Sequence, residues 1–328
     1  MAIVPQIFLG GKYGNASIQH GGNPQDTLQY HLKKSGLSIV DRIDLATHYI
    51  SLDMHEEELS LVLKSRIPKK SRILVVQEPE VVLPANFAKR NLMCFQHIVL
   101  VGRVTSEEKT TILWPQFWPN WHPVANSPRI STGAVMVASN HLSFVKGELY
   151  SLRRICAHRL VELQVFGRGW NHNSKNRIKI VLINFKDLVT YRKKVSIKSL
   201  KFWFKKYKKS VDAPSDKLSI ISQFKICLVI ENSQEFLSEK LFDSFFAQCI
   251  PVYVGPDVNK FGIPESLVVQ CKPNLSSVSD GIRRAEDMNY ETWLTDLNKW
   301  LHSEDTIKRW NFESYVHEIS KIVMSISH

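Results

Sequence analysis

No stretch of about 18 apolar residues occurs in the 328-residue chain, so no membrane-spanning helix is expected. The opening MAIVPQIFLGGKYGN lacks the basic lead and cleavage pattern of a signal peptide, and the expectation is a soluble, unexported, cytoplasmic chain. The five cysteines, Cys94, Cys156, Cys227, Cys249 and Cys271, form no C-x-x-C pair, and their odd number argues against a disulfide framework. Twelve histidines show no H-E-x-x-H or comparable spacing, so no metal site is expected. The run Gly10-Gly11-Lys12-Tyr13-Gly14-Asn15 lacks the Walker spacing and a long preceding strand, and reads as a loop. Internal repeats and low-complexity tracts are also absent. Acid is scarce: 31 Asp and Glu stand against 43 Lys and Arg, a net charge of +12.

What is present is the pattern of two α/β domains, with 44% hydrophobic residues to fill both cores. From Gln223 to Pro256 the chain reads as a buried strand, a polar loop, a helix and a second strand. Ile226 to Ile230 is short and rich in β-branched residues, as suits a parallel strand covered on both faces. Ser238 offers a side-chain oxygen to cap the helix, and Leu241, Phe242, Phe245 and Phe246 give it one apolar stripe. Lys240 falls in its first turn. A cation there opposes the helix dipole, so the position favours a bound anion, and Lys240 reads as a phosphate ligand.

Two further blocks carry polar groups at strand ends. Ala134 to Asn140 is a strand ending in Ser-Asn, followed by Lys146 and Tyr150, and Glu162 to Gly169 is a strand running into glycines. Arg72 to Pro79 is a strand that ends on Glu78, a carboxylate before proline, with Glu80 two residues on.

Together the strings E-N-S, E-K-L and P-V-x-x-G-P resemble the donor-binding signature of the α-1,3/α-1,4-fucosyltransferases, glycosyltransferase family 10, in their bacterial or viral soluble form. The resemblance implies a GT-B architecture of two Rossmann-like domains facing a cleft, with a C-terminal helical tail. It further implies metal-independent, inverting transfer of fucose from GDP-fucose to a glycan hydroxyl, with Glu78 as the base. Glu239 would hold the ribose hydroxyls, and Lys240 and Asn232 the pyrophosphate, beside Ser238. Lys146 and Tyr150 stand where the family has Arg and Tyr, and Phe236 where it often has Tyr. Lys for Arg exchanges a planar, bidentate guanidinium for a point charge. Two other readings stay open: the same fold with another nucleotide sugar, or a non-catalytic basic binding protein on a degenerate transferase fold.

The expected domains are residues 1–128 for the acceptor, 129–302 for the donor and 303–328 as a helix crossing back to the first. Asn126-Ser127-Pro128 marks the break. Within the first domain, Trp114 to Pro123 reads as a proline-stiffened aromatic loop, either against acceptor sugar rings or as an apolar plug. Residues Arg192 to Lys209 hold no acid, and Phe202, Trp203, Phe204 and Tyr207 are interleaved with lysines. That run suits either a helix packing its aromatics inward or a surface for anionic lipid, at the inner face of a membrane, with nucleic acid a weaker candidate. Lipid-linked glycan acceptors favour the membrane among the functional readings.

Overall fold

A computed structural model describes residues 5–12, 24–104, 109–115, 130–172, 174–194, 200–205, 207 and 217–326. The aromatic loop beyond Pro115 and the break at Asn126–Pro128 lie outside these residues, as do parts of the basic run. In chain order the first strands are β1 (Gln6–Gly10), β2 (Ser38–Val40), β3 (His48–Leu52), β4 (Arg72–Val76), β5 (His97–Val101) and β6 (Thr110–Ile112), with helices α1 (Pro24–Lys34), α2 (Glu56–Lys64) and α3 (Lys89–Leu92). Next come β7 (Ile130–Val137), β8 (Leu163–Phe166), β9 (Phe224–Ile230), β10 (Ile250–Val254) and β11 (Val269–Gln270). Their helices are α4 (Tyr150–Arg159), α5 (Ser174–Tyr191), α6 (Lys217–Ile221), α7 (Lys240–Phe246), α8 (Leu275–Asp287), α9 (Tyr290–Leu301) and α10 (Glu304–Trp310), before α11 (Phe312–Ile326) closes the chain.

The chain divides into two compact units, Met1–Pro115 with Lys308–His328, and Gln116–Ile307. Both hold an all-parallel sheet. The orders are β2-β1-β3-β4-β5-β6 and β11-β10-β9-β7-β8. Each sheet therefore starts in its interior, adds its second strand on one side and all later strands on the other. That reversal leaves a crevice at the strand C-termini, between β1 and β3 in one unit and between β7 and β9 in the other, where open α/β sheets take ligands.

Burial on both faces explains the sequence of these strands. Ile7, Leu9, Ile50, Leu52, Ile73, Val75, Val99 and Val101 alternate along β1, β3, β4 and β5 into one core layer. Leu28 and Leu32 of α1 cover it, with Phe312, Tyr315, Val316, Ile319 and Val323 of α11. The intervening Tyr49, Leu74, Val76 and Leu100 are equally buried on the other face. In the second unit β9 is buried along almost its whole length, and Leu241, Phe242 and Phe245 of α7 are fully enclosed.

Two elements differ from expectation. The single helix expected within 303–328 is two helices, because Asn311 interrupts it and its Oδ1 accepts the Ser314 amide at 2.7 Å, capping α11. Before the glycine run, where the sequence shows no long strand, Gln6–Gly10 forms the interior strand β1; five residues are too few for their period to identify them. Gly11 follows at φ 99°, where a Cβ would lie 2.4 Å from the Leu52 carbonyl, so only glycine lets the chain cross the end of β3.

Ile319 is fully buried in the core shared by α1, α11 and the first sheet. Ile319→Ala is expected to destabilise the N-terminal unit by about 2–5 kcal/mol in urea denaturation. A loss below about 0.5 kcal/mol would show that α11 is not part of that core.

Candidate functional site

At the end of β9, backbone pairing continues one residue further, since the Glu231 amide donates to Val254 O at 2.9 Å. The Glu231 side chain has no exposed surface. Its Oε1 accepts the Ser238 amide at 2.9 Å and its Oε2 the Ser238 hydroxyl at 2.7 Å, folding the loop 232–237 back on the sheet. Burial first raises the Glu231 pKa, and Lys240 and the Ser238 bonds oppose that rise. Ser238 is thus held by Glu231 rather than capping α7; the Lys240 amide only approaches its Oγ at 3.4 Å.

The Lys240 ammonium stands in the middle of this arrangement. It donates to Ser238 Oγ at 2.9 Å and lies 3.8 Å from both Glu231 Oε2 and Glu239 Oε1. Lys217 of α6 forms an ion pair with Asp243 and is 3.9 Å from Glu239. Burial alone would raise Glu239, but Lys240 first and Lys217 second hold it below the ordinary carboxylate value. Two cations and three carboxylates therefore share the start of α7.

Behind Asn232 sits a buried guanidinium. Arg153 donates through Nε and Nη2 to Ile230 O at 3.0 and 2.6 Å, and through Nη2 to Asn232 Oδ1 at 2.8 Å. It lies over the Tyr150 ring at 4.9 Å. Lys146 is exposed on the preceding loop, which reaches the same place through the Leu149 amide and Asn232 O at 3.0 Å. His141, just beyond β7, packs edge-on to Tyr150; burial, then Arg153 and Lys240, lower its pKa. Gly167, at φ 139°, passes so close to the end of β7 that a Cβ would meet Ala138 O at 2.2 Å.

Of the eight residues singled out in the sequence, seven thus lie in the C-terminal unit, on the loops after β7 and β9 and at the starts of α4 and α7. Tyr150, Phe236 and Ser238 are buried, whereas Lys146, Asn232, Glu239 and Lys240 keep exposed surface. Glu78 stands in the N-terminal unit, half-buried on the loop after β4. Asp53 underlies that loop: its Oδ1 accepts the Gln77 amide at 2.8 Å, the Glu78 amide at 3.1 Å and Asn86 Nδ2 at 2.6 Å. Asp53 is fully buried, sits at φ 59°, and its Oδ2 has no hydrogen-bond partner among the described residues. Glu58 is the other buried carboxylate of this crevice, its Oε1 accepting the Gly11 amide and the Tyr49 hydroxyl, each at 2.6 Å.

Sequence reasoning includes Glu231 only as part of the E-N-S string, without a role, and misses Arg153 and Asp53. Glu231 and Asp53 share a position, a carboxylate directly after a strand, and only the strand before Glu231 is marked by an apolar run. Arg153 gives none, because its role comes from a carbonyl 77 residues away. No cluster of three or more His, Cys, Asp or Glu suited to a metal ion occurs among the described residues.

Neither a known protein family nor a curated protein matches the sequence. Solved structures do match. The chain is similar to an alpha1,3-fucosyltransferase with GDP, at 11% identity and TM-score 0.52, over 99% of this chain and 93% of the other. It is similar to Anabaena HepE in complex with UDP and glucose, at 9% identity and TM-score 0.56, over 98% and 100%. A third match is sucrose-phosphate synthase from Thermosynechococcus elongatus, at 11% identity and TM-score 0.56, over 98% and 99%. These structural neighbours are GT-B glycosyltransferases, and at such identities the likeness is one of fold. The two Rossmann-like units expected from the sequence are the fold that is found.

Asp53 has a consequence measurable without substrate. Burial, reinforced by Glu78 and opposed by the Gln77, Glu78 and Asn86 bonds, raises its pKa to about 7. Between the ordinary carboxylate value and 7 only the folded protein holds this proton. The stability it contributes is therefore fully present below about pH 4 and is lost as pH rises through 7, a change on the order of 4 kcal/mol. Urea denaturation of wild type and Asp53→Asn at about pH 5 and about pH 8 should show wild type losing ground to the variant at the higher pH. A pH-independent difference would mean that Asp53 titrates as an ordinary carboxylate.

Proposed function

We propose that the chain transfers a sugar from a nucleotide-diphosphate donor to an acceptor hydroxyl with inversion, and that the donor is GDP-fucose. The observation that carries this reading is the Lys240 ammonium at the switch point of the C-terminal sheet, held between Glu231 and Glu239 beside the Arg153-bound Asn232 amide. Crevices of this kind bind phosphates, and the neighbours in fold include structures with GDP and with UDP and glucose. The motif resemblance supports fucose and guanine.

In this mechanism Lys240 and Lys146 take the donor's diphosphate, Asn232 contributes its amide, and Glu239 accepts hydrogen bonds from the ribose hydroxyls. Ser238 supports those groups from beneath through Glu231 and Tyr150 through Arg153, with Phe236 buried in the loop between Asn232 and Ser238. Glu78 removes the acceptor hydroxyl proton as the oxygen attacks the anomeric carbon. The bond from that carbon to the diphosphate oxygen breaks, and its electron pair leaves with GDP. Fixed cations stabilise the charge that develops there more than they stabilise the bound donor, which is what lowers the barrier. Asp53 positions the Glu78 loop through the backbone amides of Gln77 and Glu78.

Thermal unfolding with GDP, GDP-fucose, UDP and UDP-glucose tests the reading. Ligand at a hundredfold excess over its Kd adds about 2.7 kcal/mol, enough to raise Tm by several degrees. GDP and GDP-fucose are expected to give that shift, and Lys240→Met to lose it while melting cooperatively without nucleotide. Glu78→Gln should keep the shift and lower turnover by about 10²–10⁴. A shift with uridine nucleotides alone would replace the donor and retain the reaction class, and no shift with any of the four would sink the proposal.

A further inference from the structure

The basic run at 192–209 places less aromatic surface outside than its sequence suggests. Trp203 is fully buried between the guanidinium groups of Arg154 and Arg177, at 5.4 and 5.3 Å from its ring centre. Tyr207 is buried too and donates to Leu163 O at 3.1 Å. Phe204 remains exposed.

The apolar surface lies instead on α5, an 18-residue helix with two apolar faces. One is ordinary: Leu188, Ile180 and Val181 pack with Leu142, Phe144 and Trp203. The other points to solvent, with Ile178, Leu182, Phe185 and Val189 exposed at 52, 64, 58 and 62%. Their spacing of four, three and four residues puts them in one stripe about 60° wide along the helix. Isolated apolar side chains on a surface are ordinary, but a continuous stripe over three turns marks an interaction face.

Charge selects the partner. Lys175, Lys179 and Lys186 are exposed along one border of the stripe, and Arg192 lies at the other border just past the helix end. Asp187 is the only acid in α5, and it is half-buried on the side away from the stripe. Lys193 and Lys194 continue the basic surface, in a protein of net charge +12. An apolar stripe bordered by cations is what lets a helix lie in the plane of a lipid interface, with its side chains among the acyl chains and its cations at the phosphates. It is too polar elsewhere to span: no described helix is long and apolar enough to cross a membrane.

We propose that α5 docks the protein on an anionic membrane surface, inserting Ile178, Leu182, Phe185 and Val189 and placing Lys175, Lys179, Lys186 and Arg192 at the headgroups. The docking is independent of the reaction assigned to the site. Flotation of the full chain tests it, with vesicles of phosphatidylcholine alone and of an equimolar mixture with phosphatidylglycerol. Wild type is expected to float with the anionic vesicles and to be released by high salt. Leu182→Ser with Phe185→Ser should weaken partitioning at least about tenfold, with an unchanged melting transition, because both side chains are already exposed in the folded protein. Lys175→Glu with Lys179→Glu should weaken it on anionic vesicles through charge alone. Failure to float with anionic vesicles, or flotation unaffected by the serine substitutions, overturns the proposal. Self-association that the serine pair abolishes, without vesicle binding, overturns it in favour of an interface between two copies of this chain.

Discussion

Glu231 is a carboxylate with no exposed surface, and the organisation of the C-terminal crevice depends on the groups that compensate it. Ser238 supplies an amide and a hydroxyl, and Lys240 an opposite charge. A buried ionised group persists only when its partners are complete. That requirement brings the loop after β9 back onto the strand end and fixes where Lys240 stands. Its position is then a consequence of Glu231 as much as of α7.

The N-terminal unit repeats the device. Asp53 follows β3 as Glu231 follows β9, each directly after the third strand of its unit. Each is fully buried, each extends the ladder by an amide bond of 2.9 Å to the fourth strand, and each is raised in pKa mainly by burial. Glu231 gathers Ser238 and Lys240, which follow it directly in the chain, whereas Asp53 gathers the connection after the next strand, through the amides of Gln77 and Glu78 and the side chain of Asn86. The difference matches the roles assigned to the two crevices: a charged cradle in one, a positioned carboxylate in the other.

The basic excess has more than one physical origin. Arg153, Arg154 and Arg177 are buried and spend their donors on backbone carbonyls, so they belong to the architecture. Lys217 and Lys240 are paired with carboxylates at the crevice. Exposed cations are found in both units, and those around α5 are set apart by lying next to an apolar stripe that has no role in the core.

Local pattern alone determined the strands β4, β7, β8, β9 and β10, the amphipathic helix α7 and the two-domain α/β class. A parallel strand covered on both faces must be apolar throughout, and a helix on a sheet must carry one stripe; both are visible in consecutive residues. The glycines after β8 and the lysine at the start of α7 were legible for the same reason. Five-residue β1 and the interruption at Asn311 were not, because a short apolar run and a single side-chain cap are ambiguous until neighbours choose between them. Burial of Tyr150, Phe236 and Ser238, and the Arg153–Asn232 and Asp53–Glu78 contacts, were decided only by the tertiary structure. They join groups up to 79 residues apart in the chain, and a hydrogen bond to a distant carbonyl or amide leaves no mark on the residues beside it.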